Sequence, residues 1–316
     1  MPSLSRFVAP VSYEDRAIVD FLCREPTAPD SCGNNWLYYL CLCRDHNQWF
    51  RYWDGQALIF ITPRPGLSGA VAFIRPLGTN IPETLSRLAR IYVQKTKQPV
   101  AVKNISLQQF RELQGFGFSD YKANDGWQIS LGYRYDDEQY EEVVISLFPY
   151  LAQSQESLSD NKEGDPSLTL AVERLEVSSH RRDLERILEM WVAFYLTRNP
   201  KENVDHMLGV YRSFVFEPAN QGWVFRVDRN TVGFIVTAPG LPFTLDFYAA
   251  LYDPAFRNRG ISTKMYEMAF RLAVQKGYMY AGLGGSEVKS LFDFKRSFKP
   301  HRLIKRTHAI LYPKVQ

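Results

Sequence analysis

With 316 residues the chain is longer than one typical domain, and two domains of about 150 residues are expected. Hydrophobic residues make up 45% and aromatics 14%, enough to fill two cores, which excludes a globally disordered chain. The net charge of +4 is small, yet Lys295, Arg296, Lys299, Arg302, Lys305, Arg306 and Lys314 crowd into residues 295–316, where no Asp or Glu stands. That end reads as a basic patch for the phosphates of a cofactor, nucleic acid or lipid, or as the solvated face of a terminal strand.

In chain order, acids in an opening turn predict a helix over 14–23, and the same Glu14, Asp15 and Asp20 argue against a signal peptide. Cys23, Cys32, Cys41 and Cys43 fit no zinc spacing and read as free thiols of a reducing compartment. No apolar run approaches the ~20 residues that span a bilayer, so a cytoplasmic protein without a transmembrane segment is expected. Trp36 to Cys43 is helix or strand; its pattern fits both. Phe50 to Trp53 and Ala57 to Thr62 flank the Asp54-Gly55 turn of a hairpin. A strand at 70–74, a helix at 82–96 with Leu85, Leu88, Ile91 and Tyr92 at helical spacing, a strand at 100–102, a helix at 106–113 and a strand at 128–131 complete the first half.

Residues 152–167 are polar, lack aromatic and β-branched side chains, and contain Gly164 and Pro166. Such a segment buries too little surface to offset its ordering entropy, which predicts a linker between domains 1–151 and 168–316. Beyond it come a strand at 168–174, a helix at 181–195 with Leu184, Ile187, Leu188 and Trp191 on one face, and a hairpin of 222–227 and 231–238. A strand at 243–252 then runs into Asp253-Pro254-Ala255-Phe256-Arg257-Asn258-Arg259-Gly260-Ile261-Ser262. The helix that follows, to Gln275, carries a core stripe of Met265, Met268, Ala269 and Leu272. A strand at 278–283, a helix at 286–296 and a strand at 303–311 end the chain. Each half is an α/β layered domain with a mixed sheet.

Arg257-x-x-Gly260-x-Ser262 sits where a strand ends and a helix begins, and there the first helical N–H groups and the helix dipole favour an anion such as a pyrophosphate. This order and motif resemble the GNAT acyltransferase superfamily, with Ser262 where that pattern has Gly or Ala; the serine is expected to cap the helix. Asn34-Asn35-Trp36-Leu37-Tyr38, Asp54-Gly55-Gln56-Ala57-Leu58-Ile59, Leu283-Gly284-Gly285-Ser286 and Phe294-Lys295-Arg296-Ser297-Phe298-Lys299-Pro300 resemble the tandem-GNAT group related to the C-terminal domain of phosphatidylglycerol lysyltransferases. The resemblance implies a degenerate N-terminal GNAT-like domain and a more complete C-terminal one. It implies an acyl-coenzyme A or acyl-carrier thioester as donor and a primary amine on a small molecule, peptide or lipid as acceptor. The alternatives are an aminoacyl-tRNA donor, which makes tRNA a partner, and a non-catalytic binding protein of the same fold.

The loop amides of Arg259 to Ser262, with charge from Arg257, Arg259 and Lys264 and the neighbouring Asn258 and Ile261, would hold the donor phosphates. By the same resemblance the strand backbone at Leu251 and Tyr252 lies beside the thioester and supplies the oxyanion donor. For the amine's proton the candidates are Asp246 and Tyr248, expected on one strand face opposite a core row of Leu245, Phe247 and Ala249, and Asp293 on the next helix. Ser286 and Glu287 read as caps. His46, His180, His206, His301 and His308 show no metal spacing, no Gly-x-Ser-x-Gly elbow exists, and no metal is expected.

Overall fold

The computed structural model describes residues 7–25, 32, 35–43, 49–63, 71–120, 139–151, 169–198, 204–217, 220–257, 259–286 and 289–313. Two compact units emerge, one built from 1–36, 47–143 and 285–316, the other from 37–46 and 144–284. Residues 285–316, expected in the second domain, group with the first because their strand pairs there. The expected linker, the strand at 128–131, Asn258 and Glu287 lie outside the described residues.

In chain order the first unit has β1 (Val8–Pro10), α1 (Arg16–Leu22), the first residue of α2 (Trp36–Cys43), β2 (Phe50–Trp53), β3 (Ala57–Pro63) and β4 (Val71–Gly78). It continues with α3 (Ile81–Thr96), β5 (Val100–Ser106), α4 (Leu107–Gly115), β6 (Ser119–Asp120) and most of β7 (Gln139–Ser146). The second unit takes the end of β7, then β8 (Ala171–Arg174), α5 (Val177–Arg198), α6 (Val204–Val215), β9 (Gln221–Val227), β10 (Asn230–Pro239), β11 (Thr244–Tyr252), α7 (Ile261–Gln275) and β12 (Tyr280–Gly284). α8 (Lys289–Ser297) and β13 (Arg302–Leu311) return to the first.

The first unit's sheet runs β1-β2-β3-β4-β5-β13-β7, with β6 also on β13. The Asp54 carboxylate accepts the Gln56 and Ala57 N–H groups at 2.9 Å and fixes the β2–β3 turn. β4 and β5 are parallel, joined through α3. That helix buries Ile81, Leu85, Leu88, Ala89 and Val93 against Phe73, Val100, Val102 and Leu311; of the residues read at helical spacing Leu85 and Leu88 are core, Tyr92 packs at its edge and Ile91 is half-buried.

Across the centre of this sheet lie buried charges. Arg75, at φ 37° in a bulge of β4 opposite Ile59, donates to Glu142 on β7 and to the Cys32 carbonyl; the Cys32 N–H donates to Glu142 at 2.9 Å. Arg306 on β13 stands 3.6 Å from the same carboxylate. His308 accepts the Asn104 N–H through Nδ1 at 3.1 Å, and burial, reinforced by Lys103, lowers its pKa from 6.5 to about 3. Strand β7 was not expected, because Glu142 makes its pattern look exposed until a cation 67 residues away neutralises it.

The second unit's sheet runs from the end of β7 through β12-β11-β10-β9-β8. β9, β10 and β11 are antiparallel, and β11 and β12 are parallel, joined through α7. On one face Leu184, Ile187, Leu188 and Val192 of α5 and Val215 of α6 pack on Phe234, Val236, Ala238, Ala249 and Leu251. Helix α6 was not expected; Gly209 inside it costs about 1 kcal/mol of helix propensity, and packing on the sheet overrides that. On the other face Phe247 stacks against Tyr266 and meets Phe270 of α7, where Met265, Met268 and Ala269 are buried and Leu272 is half-buried.

Candidate active site

Strand β11 departs from regular pairing in two places. Val236 pairs with Ala249 but Thr237 pairs with Phe247, so Tyr248 is an extra residue, a bulge. On its other side β11 pairs with β12 only through Thr244, Leu245 and Asp246, the last opposite Gly282, although β11 runs on to Tyr252. Beyond Asp246 no strand among the described residues pairs with that edge. Parallel strands that part in this way open a cleft lined by main-chain N–H and C=O groups at their carboxyl ends, the usual place for a ligand in α/β sheets.

The loop at that end is built by local bonds. Asp253 caps a short 3-10 turn, Pro254–Phe256, by accepting the Ala255 N–H at 2.9 Å. The Arg257 N–H donates to Pro254 at 3.0 Å and the Arg259 N–H to Phe256 at 3.2 Å. Gly260, at φ 71°, is the N-cap of α7, a left-handed backbone that glycine adopts without a Cβ penalty. The Lys264 N–H donates to Gly260 at 3.1 Å, which leaves Ile261, Ser262 and Thr263 as the helical residues whose N–H groups have no intrahelical partner.

Two expectations change here. Ser262 is not the cap, since the turn needs a positive φ one step earlier, at Gly260. The Arg259 N–H is already committed to Phe256, so the loop amides expected from Arg259 to Ser262 do not all point outward, and those without an intrahelical partner are Ile261–Thr263. Of the side chains, Arg257 is exposed with its guanidinium 5.3 Å from the Phe194 ring centre, and Arg259 lies 5.5 Å from that of Phe256. The Ile261 side chain is core, and Lys264 is only 4% exposed. Leu251 is buried in the core under α5, while Tyr252 is half-buried opposite Gly233.

Asp246 and Tyr248 lie on the face toward α5 and α6, but Ala249 joins them there, because the bulge resets the alternation. The expected core row of Leu245, Phe247 and Ala249 is therefore split, with Phe247 against α7. Asp246 is 2% exposed and its carboxylate abuts Gly240, where a Cβ would collide with it. Asp293 is exposed on α8 in the first unit, paired at 2.5 Å with Lys289 one turn away. Sequence reasoning missed Gly240 and Phe194; the helical position of Phe194, three residues after Trp191, was the available signal.

Two cavities belong to the second unit. One of about 1330 Å³ lies between α5 and α6 and is lined by Arg181, Glu185, Arg212 and Phe216, away from the loop. Another of about 450 Å³ reaches the loop at Asp253 and Phe256. The rest of its lining is Asp183 and Arg186 of α5 and the 227–232 turn between β9 and β10, so neither cavity includes a residue of α7. Among the described residues no group of His, Cys, Asp or Glu could hold a metal ion.

A strand with a bulge, a parallel partner that parts from it and a glycine-capped helix after an Arg-x-x-Gly turn match a known family. Residues 184–290 fit the profile of the acetyltransferase (GNAT) family. The chain carries a GNAT-type acyltransferase domain. No curated protein sequence matches the chain. A conserved protein of unknown function from Bacteroides thetaiotaomicron has a similar structure, with TM-score 0.66 and 14% identity over 96% of this chain and 99% of the other. So has the C-terminal domain of a protein named as a lysylphosphatidylglycerol synthetase from Agrobacterium fabrum, at 0.60 and 13% over 94% and 91%. A tandem GNAT protein from the clavulanic acid biosynthesis pathway is similar at 0.55 and 7% over 98% and 99%. At such identities the likeness is one of fold, that of two GNAT-like domains with mixed sheets.

Proposed function

We propose that the second unit moves an acyl group from an acyl-coenzyme A, or an acyl-carrier thioester, to a primary amine. The observation that carries this reading is the Gly260-capped start of α7, set at the end of β11 where β12 parts from it. The N–H groups of Ile261, Ser262 and Thr263 would take the donor's pyrophosphate, with Arg257 and Arg259 adding charge from their aromatic seats. The open edge of β11 at Tyr252, next to Leu251 whose own N–H is turned toward β10, would offer a main-chain N–H to the thioester oxygen. In the reaction the amine nitrogen attacks the carbonyl, a C–N bond forms, the C–S bond breaks, and the amine loses a proton while the thiol departs. Asp246 is the candidate proton acceptor, with Tyr248 beside it on the strand. Calorimetric titration with acetyl- and long-chain acyl-coenzyme A tests the donor; absence of heat at every chain length would end this reading.

A second reading, transfer from aminoacyl-tRNA to a lipid head group or peptide, is favoured by exposed Lys299, Arg302 and Lys305 and by the likeness to the synthetase domain. Binding to tRNA that weakens steeply with salt would support it, because phosphate contacts release counterions. Salt-insensitive or absent binding removes it.

A further inference from the structure

We propose that the end of the second unit's sheet opposite the donor loop docks on the surface of a lipid bilayer. Three turns meet there. The Met279 and Tyr280 N–H groups both donate to the Phe243 carbonyl, and the Leu147 N–H donates to Met279, so the starts of β11 and β12 and the end of β7 lie side by side. Phe148, Leu151 and Phe243 are 47%, 48% and 64% exposed, and among the described residues they are the large hydrophobic side chains that the second unit leaves exposed.

Phe243 is held at φ 59°, a conformation that bulky residues rarely adopt and glycine adopts freely. A phenylalanine kept there with most of its surface in solvent brings the fold little packing, which points to a use outside the fold. The three turns, Leu147–Leu151, Pro239–Phe243 and Lys276–Met279, contain no Asp or Glu and one cation, Lys276. Two acids lie close behind them: Asp246, buried with its carboxylate against Gly240, and Glu267, half-buried on α7, which acts on Tyr150. Apolar tips with tyrosines and a lysine behind them suit the zone between lipid chains and head groups.

A protein partner fits less well. An aromatic side chain covers roughly 150–250 Å² when fully buried, so two partly exposed rings and a leucine fall well short of the about 800 Å² per partner of a stable interface. The inference does not depend on which donor the enzyme uses.

The test is co-sedimentation of the full chain with vesicles of phosphatidylcholine and of phosphatidylcholine with phosphatidylglycerol. Partition into both is expected, with about a tenfold loss for Phe243→Gly and for Phe148→Ser from the apolar burial each gives up. Phe243→Gly should leave the thermal midpoint unchanged or raise it, since it relieves the backbone, and coenzyme A titration of the same variants separates this surface from the donor site. No vesicle binding by the parent chain would overturn the proposal, as would variants that bind like the parent. So would binding that needs phosphatidylglycerol and ignores both substitutions. Self-association abolished by the same substitutions, seen in sedimentation velocity, would assign the patch to a second copy instead.

Discussion

Each unit contains the same strand–helix–strand passage, β4-α3-β5 in the first and β11-α7-β12 in the second, and in each the parallel strands part after a few pairs, at Ile74–Lys103 and at Asp246–Gly282. Each leading strand also carries a bulge, at Arg75 and Pro76 in one and at Tyr248 in the other. The turns differ. β11 reaches its helix through an eight-residue loop, 253–260, that ends in a glycine cap, whereas β4 reaches α3 through Thr79 and Asn80 alone. The bulges differ as well: Arg75 ties its own strand to Glu142, while the matching stretch of β11 keeps an open edge. One fold thus serves two ends. A buried ion pair bridges the first passage, and a longer loop sets a glycine cap at the head of the second passage's helix.

The largest expected effect breaks the first unit. Glu142→Ala leaves Arg75 and Arg306 buried without that carboxylate and should cost about 3–5 kcal/mol of stability, read as a lowered denaturation midpoint. Donor affinity per folded molecule should stay level, and a parallel loss of affinity would tie the pair to the donor site. In the second unit, Gly260→Glu puts a like charge and a side chain where the donor phosphates are placed. Binding of coenzyme A should drop at least ~100-fold, or about 2.7 kcal/mol, while the Cβ penalty at φ 71° lowers the melting temperature by only about 2–4 °C. Unchanged affinity would defeat the loop assignment.

Asp246→Asn preserves shape and removes a charge, so turnover should fall by ~10² while donor affinity barely moves. A fully active Asp246→Asn would remove Asp246 from the proton step. Arg257→Ala should weaken donor binding by about 1.5–3 kcal/mol, the worth of a charge-assisted hydrogen bond, and a loss no larger than that of a neutral surface residue would leave the guanidinium to Phe194.

The last expected effect concerns pH and is small near neutrality. His308 titrates at about 3 when folded against 6.5 when unfolded, so its contribution is complete above pH 6.5 and is lost as pH falls toward 3. Stability should decline by up to about 1.4 kcal/mol per pH unit in that window, and His308→Gln should flatten the slope between pH 6.5 and 5, before most carboxylates titrate. An identical slope in both proteins would show that the buried histidine is not responsible.

Much of the fold was legible in the chain. Helical spacing gave α3, α5 and α7, alternation with Asp-Gly gave the β2–β3 hairpin, and the Arg257-x-x-Gly260 turn marked the head of α7. The misses share a cause. β7 hides behind Glu142, and α6 behind Gly209, each a local contradiction resolved by partners distant in sequence. At the candidate site the loop was readable because its bonds are local, spanning two to four residues. The placement of Asp246 and Tyr248 was not, because the bulge that shifts Ala249 onto their face depends on how β10 pairs.

By itself the sequence determined which segments become helix or strand and where a chain turn suits a phosphate, since periodicity, caps and turn residues act over a few bonds. Tertiary structure alone decided that the last strand joins the first unit, that Glu142 can be buried, and that β12 leaves β11 after Asp246. Those outcomes depend on strand pairing and charge neutralisation between residues tens to hundreds of positions apart, which no local pattern encodes.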